Sequence, residues 1–301
     1  GWPPVELPTR YFRHSPAAYL PWEEARRFAF RFRNAGRIEL DTIELVDALV
    51  ETHPSDLSLE ELSRLAFGSK GKVHRSGNFA ILTDEPRLKP GETFAELDRM
   101  LKMFMADFPM AKLPAQPIPL LVFSTQARYR TFWGELAQKF NSNTSAPTSG
   151  GYAMLGIAGS YYDLSQGSVR PVYLHEACHA LIARTFGIAS QGGWLQEGLA
   201  NYYQLRWGKK DTGVFAKNLL AKRRMVPLAK LLDGNTVELK NYAQVALFIE
   251  WILATRKERL LPAIRAMAKR GSTALEPIAK VHFGQSLPGL EQEWISWLKT
   301  R

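Results

Sequence analysis

The feature that most constrains this chain is Pro171 to His179, PVYLHEACH, which carries His175, Glu176 and His179 in the order H-E-x-x-H. Residues four apart on an α-helix lie above one another on one face. Two imidazoles so placed can grip one metal ion, with Glu176 one step round the helix beside them. That is the geometry of a zinc hydrolase site. The competing reading is a coincidence on a core helix. Val172, Leu174, Ala177, Cys178, Leu181 and Ile182 supply the apolar surround of a buried helix. Pro171 suits the first turn, where its missing N–H is no loss. Gly187 is placed to end the helix as a left-handed cap.

A catalytic zinc takes three protein ligands and keeps one position for water. The third candidate is Glu197, in the segment WLQEGLANYY over 194–203. It follows His179 at a distance that allows a turn, a short loop and a second helix packed on the first. Its competing role is a first-turn glutamate favoured by the helix dipole. The expectation is one Zn2+ held by His175, His179 and Glu197. Glu176 binds no metal in this scheme; it takes a proton from the attacking water and passes it to a departing amine.

HEACH followed by WLQEGLANYY resembles the gluzincin metallopeptidases, the class that includes thermolysin and the aminopeptidase N-like enzymes. The second segment looks like the aminopeptidase N-like pattern, in which the ligand glutamate precedes Gly-x-Ala. The whole is similar to the peptidase MA-like domain of bacterial proteins. The likeness is specific over 172–203. It extends by order of elements over 78–301, and it does not reach the first seventy-odd residues.

The resemblance implies an α+β fold, a small mixed β-sheet with helices followed by a helical subdomain. It implies an edge strand beside the metal cleft that pairs with substrate backbone. Residues 151–162 are the candidate, with an ordinary packed hairpin as the alternative. It implies an oxyanion donor at Tyr242, for which Tyr202 and Tyr203 compete. It also implies an outer partner for a ligand histidine at Asn201, where thermolysin-like enzymes carry an Asp. The aminopeptidase G-x-M-E-N pattern is missing, because Gly151-Tyr152-Ala153-Met154 is followed by Leu155. The acidic group that would bind a free amino terminus is therefore absent at that place, which leaves endopeptidase or an unusual substrate open.

Lys plus Arg exceed Asp plus Glu by 39 − 29 = 10. Residues 1–75 carry 11 basic and 11 acidic side chains, so the excess lies in 76–301. Its clusters, KNLLAKRR over 217–224 and the stretch Arg256–Arg270, read as solvated helix faces. No aromatic RNA motif or zinc finger accompanies them, so no specific nucleic-acid partner is expected. The single cysteine, Cys178, excludes an internal disulfide and reads as a small buried apolar side chain. No apolar run approaches a membrane span. No signal peptide is read at GWPPVELP, and a periplasmic or secreted home is favoured over the cytoplasm.

Two domains are expected: a mostly helical extension over 1–76 and the catalytic-type domain over 77–301. The latter divides into an α/β part, 77–187, and a helical part, 188–301. In the extension, Arg27–Leu40 reads as a hairpin or a helix beginning near Trp22. Asp41/Glu44 and Ser58/Glu61 read as capping boxes, and His14, His53 and His74 as surface histidines. Beyond it, Phe79–Thr83 and Leu120–Phe123 read as strands, and 152–164 as two short strands. Helices are expected over 93–108, 126–140 (capped by Ser124 or Thr125), 193–206, 214–224, 238–254, 259–269 and 290–299. Trp294 and Trp297 read as core, and His282 as structural.

Two functions follow. The first is a zinc-dependent peptidase acting on a peptide or protein. The second is a peptidase-like zinc domain used to bind a protein or polyanion. A decayed site would be expected to lose Glu176 first, and Glu176 is intact.

Overall fold

The computed structural model describes residues 57–139, 147–188, 192–221 and 225–301. The expectations for Trp22, Arg27–Leu40, Asp41/Glu44, His14, His53 and 222–224 lie outside the described residues.

The chain is α+β. Helix α1 spans Leu59–Phe67. Strands β1 (Lys72–Ser76) and β2 (Phe79–Thr83) follow, then α2 (Pro90–Asp107), β3 (Ile118–Phe123), α3 (Gln126–Lys139), β4 (Gly151–Met154) and β5 (Ile157–Tyr161). The strands form one sheet in the order β1-β2-β3-β5-β4. β2, β3 and β5 run parallel, and an antiparallel strand closes each side.

Strands β2 and β3 are buried along their whole length because both sheet faces are covered. Successive side chains alternate between two cores. Phe79, Ile81, Ile118, Leu120 and Val122 enter the larger core with α2. Ala80, Leu82, Leu121 and Phe123 enter a smaller one with Leu62, Ala66 and Phe67 of α1 and Tyr129, Phe132 and Trp133 of α3. α1 opens with the expected capping box: the Glu61 amide donates to Ser58 Oγ, and the Ser58 amide donates to the Glu61 carboxylate. At α3, Thr125 is the cap, its Oγ1 accepting from the Arg128 amide at 3.2 Å. Ser124 instead bonds Asp84.

β1 departs from the sequence reading. The stretch 68–77 reads as a polar divide, yet Lys72–Ser76 pairs residue for residue with Phe79–Thr83. His74 therefore sits on a strand, opposite Ile81. Gly77 takes φ +55° in the two-residue turn, a conformation that favours glycine. A boundary at 76/77 would cut this hairpin, and residues 57–76 share the sheet and the smaller core. β1 offers little hydrophobic pattern because it is an edge strand, half-exposed on both faces; charged edges are how sheets avoid pairing with other chains.

After the sheet come α4 (Pro171–Phe186), α5 (Trp194–Trp207), α6 (Thr212–Ala221), the single turn α7 (Leu228–Leu231), α8 (Tyr242–Thr255), α9 (Lys257–Arg270), α10 (Glu276–Phe283) and α11 (Leu287–Leu298). α7 and α10 were not anticipated. α10 is short and carries His282, whose carbonyl accepts from Arg259. α8 begins at Tyr242, later than expected, because Leu239–Asn241 forms a 3-10 turn before it. Trp294 is fully buried, and Trp297 packs at the margin. The helical part shares the larger core with the sheet. No described helix is long and apolar enough to cross a membrane.

Candidate metal centre

Helix α4 lies between the sheet and α5 and is buried on nearly every side; Leu174, Ala177, Cys178, Leu181 and Ile182 are all 3% exposed or less. Pro171 occupies its first turn and Gly187 caps it at φ 70°, ψ 18°, as expected. This rigid seat carries His175, Glu176 and His179.

α5 is brought against α4 and anchored at its start. The Trp194 indole donates to the Thr273 carbonyl at 2.6 Å. The Val237 amide donates to the Gly192 carbonyl at 2.7 Å. Its far side packs on α8 through Gly198, where a Cβ would lie 2.8 Å from Ile249 Cγ1 and 3.2 Å from the Val245 carbonyl oxygen. Close approach there demands glycine. The result delivers the buried Glu197 to the two histidines.

The donor atoms of His175, His179 and Glu197 all lie within 4.8 Å of one another, the one such group of three found among the described residues. The Nε2 atoms of the two imidazoles are 3.0 Å apart. Glu197 Oε2 is 3.4 Å from His175 Nε2, and Oε1 is 3.6 Å from His179 Nε2. Two ligands held at ~2.0–2.1 Å by a tetrahedral ion stand about 3.3 Å apart. The spacing therefore suits a zinc-sized ion. Glu197 Oε2 is buried and makes no close hydrogen bond among the described residues; His175 Nε2 at 3.4 Å and the Tyr242 hydroxyl are the groups that offset the charge of this carboxylate. A carboxylate oxygen left so is costly unless something positive meets it. On both counts the residues fit a divalent cation.

The charges are unevenly arranged. Burial disfavours charge on every group here. It pushes His179 down to about 4, helped by His175 and opposed by Glu197. At His175 burial is outweighed by Glu197 and Glu176, and the ring titrates above its ordinary value. At Glu197 burial is outweighed by the two histidines, and the carboxyl titrates low. Glu176 is pushed up to about 7, by burial first; His175 pulls the other way and Glu197 adds to the rise. A carboxylate poised near neutrality suits a proton acceptor.

Glu176 meets the start of β4. A Cβ built on Gly151 would stand 2.6 Å from Glu176 Cγ and Oε1, and would also collide with Val172. Among the described residues β4 is the last strand of the sheet, with β5 as its one neighbour.

Of the three tyrosines, Tyr203 donates to Asp107 at 3.2 Å, and Tyr202 accepts from Arg206 at 3.1 Å. Both thus face α2 and their own helix. Tyr242, in the first turn of α8, feels the two site carboxylates: burial raises its phenol well above the usual range, and Glu197 and Glu176 raise it further. Asn201 does not reach a histidine. Its amide donates back to the Glu197 carbonyl at 2.8 Å. The histidine partners are Gln204, at 3.0 Å from His175 Nδ1, and Gln196, at 2.9 Å from His179 Nδ1. Neither was singled out from sequence. The signal was available: both lie on the Glu197 helix, one residue before and seven after.

No family model matches the chain, and no curated protein matches it. Among solved structures, a similar chain is a mutant M1 zinc metallopeptidase from Deinococcus radiodurans bound to a Tyr-Ser-Ala substrate. The two are 15% identical, with a TM-score of 0.41. The match covers 75% of this chain and 51% of that one, so the present chain spans about half its length.

Proposed function

We propose that the protein is a zinc-dependent peptidase of the gluzincin type that its two motifs resemble. The observation that carries this reading is the convergence of two imidazole nitrogens and a buried carboxylate oxygen that makes no close hydrogen bond, beside a fourth group, Glu176, that takes no part in the cluster.

His175, His179 and Glu197 would hold the ion. Zinc, when bound, polarises a carbonyl and lowers the pKa of water toward ~7. Glu176 accepts the proton that a nucleophilic water gives up and returns it to the departing amine nitrogen. Its burial raises that proton affinity above that of an exposed carboxylate. Tyr242 donates its phenolic proton in a hydrogen bond to the carbonyl oxygen as negative charge grows there. The edge strand β4 offers main-chain groups to an extended segment, and its first residue abuts Glu176. That juxtaposition supports peptide as the substrate class.

The direct test is to load the protein with zinc, offer it a mixed peptide library and sequence the new termini. Zinc-dependent cleavage that is lost in Glu176→Gln is the expected result. No cleavage by a protein that has taken up zinc would instead favour a binding role for the domain.

A further inference from the structure

Both ligand imidazoles are oriented by amide side chains from the helix that carries Glu197. His179 Nδ1 lies 2.9 Å from Gln196 Oε1, and His175 Nδ1 lies 3.0 Å from Gln204 Oε1. The Gln196 amide has a fixed orientation, because its Nε2 donates to the Ile188 carbonyl at 2.5 Å. Its oxygen is therefore the atom that meets His179. An amide oxygen only accepts, so Nδ1 carries the proton. A neutral imidazole protonated there has its lone pair on Nε2. With His175 held in the same tautomer by Gln204, both lone pairs would point into the same space, where the two Nε2 atoms lie 3.0 Å apart and Glu197 Oε2 stands 3.4 Å from His175 Nε2.

Helical geometry explains how one segment does this. Seven residues are close to two turns, which returns Gln204 to the face of Glu197, while Gln196 sits 100° away, toward α4's other ligand. Gln196 is 2% exposed and bridges His179 to the residue just after the α4 cap. Gln204 is half-buried. Both are neutral, so they set direction without adding charge.

We propose that Gln196 and Gln204 are positioning residues of the metal centre: by accepting from Nδ1 they lock each histidine in the tautomer that presents Nε2 to zinc. The proposal rests on the zinc reading above. It adds that α5 supplies one ligand and also orients the other two, so the site's geometry depends on a single helix docked against α4.

The test compares wild type with Gln196→Leu, Gln204→Leu and Gln204→Glu. Zinc affinity is measured by chelator competition, and the imidazole N–H protons of zinc-loaded protein are followed by NMR. Loss of such an outer partner weakens metal binding by roughly 10- to 100-fold. Each Leu variant is expected to show that loss. Each should also lose one slowly exchanging, downfield Nδ1 proton signal: that of His179 in the first variant and His175 in the second. Gln204→Glu keeps an acceptor and should keep both the signal and wild-type affinity or better. Gln196→Leu also strands the Ile188 carbonyl; should it fail to fold, the Gln204 pair decides. Wild type that takes no zinc overturns the metal reading and this proposal together. Wild type that binds zinc, with Leu variants that match it in affinity and in both proton signals, overturns the positioning role alone.

Discussion

Gly151 and Glu176 are packed so closely that no side chain fits between them: a Cβ on Gly151 would stand 2.6 Å from Glu176 Oε1. Ordinary carbon contacts are about 3.5–4.0 Å. One end of the edge strand therefore defines where the carboxylate of Glu176 can lie. Gly151→Ala is expected to push that carboxylate aside while leaving the three ligands in place. Misplacement of a reacting group by about 1 Å can cost on the order of a hundred-fold in rate. The expected outcome is a large fall in peptide turnover with full zinc content; an unchanged rate would mean that Glu176 has room to spare.

Removing a ligand and removing the base should part company. His175→Ala and Glu197→Ala should lose zinc, read by metal analysis after dialysis. Glu176→Gln should keep zinc and a native melting temperature but lose about a hundred-fold or more in turnover, because an amide takes up no proton.

Tyr242→Phe should lower kcat and leave KM nearly unchanged, since the charge its hydroxyl would meet exists only near the transition state. Loss of one such donor costs roughly 3–4 kcal/mol in other enzymes. Tyr202→Phe and Tyr203→Phe are the controls. Their hydroxyls engage Arg206 and Asp107, so their effect should appear in thermal stability. A collapse of kcat in either, with Tyr242→Phe active, would reassign the donor to α5.

A chain beginning at Asn78 should fail to fold stably. It lacks β1 and α1, which leaves β2 without its outer neighbour and uncovers the smaller core around Leu82, Leu121 and Phe123. Phe67 alone packs its ring 4.8 Å from that of Phe123. A chain beginning at Asp56 retains both elements and should melt cooperatively. Circular dichroism melts of the two distinguish them, and a cooperative transition in the shorter chain would show that β1 and α1 are dispensable.

Glu85 gives a pH signature away from the site. It is buried and accepts from the Arg87 backbone amide and guanidinium, the Arg87 hydrogen bond being the main reason its pKa is lowered. A carboxyl with a depressed folded-state pKa stabilises the fold above its ordinary titration range. That contribution fades as pH falls through the range and on through the folded value. Glu85→Gln should therefore lower stability at pH 7, and progressively less toward pH 3. Denaturant melts of both proteins across that range measure the difference. A constant gap would point to packing instead of charge.

Much of the fold was written locally. α4 announced itself through Pro171, an apolar surround and Gly187, and β2 through five successive buried residues. The i, i+4 histidines needed only a helix to share a face. The candidacy of Glu197 followed from spacing and chemistry alone. These are short-range properties: period, caps and turn residues act over a few positions, so a linear reading recovers them.

What the tertiary structure decided were relations between segments. β1 is a strand because β2 lies beside it; Lys72–Ser76 alone has neither the apolar alternation nor the length to insist on it. Three tyrosines stood level by sequence. Docking of α5 against α2 engaged Tyr203 through Asp107, Arg206 of the same helix engaged Tyr202, and the first turn of α8 brought Tyr242 near the site carboxylates. Asn201 held the right spacing, yet its amide closes on its own helix at the Glu197 carbonyl. Gln196 and Gln204 are ordinary helix residues until α5 lies against α4, when their oxygens meet two Nδ1 atoms. Hydrogen bonds of 3 Å need two helices placed to within a fraction of that distance, and helix docking depends on the whole core, including the bare face of Gly198 against α8. The three candidate ligands could be named from the chain; their orientation belongs to the packing.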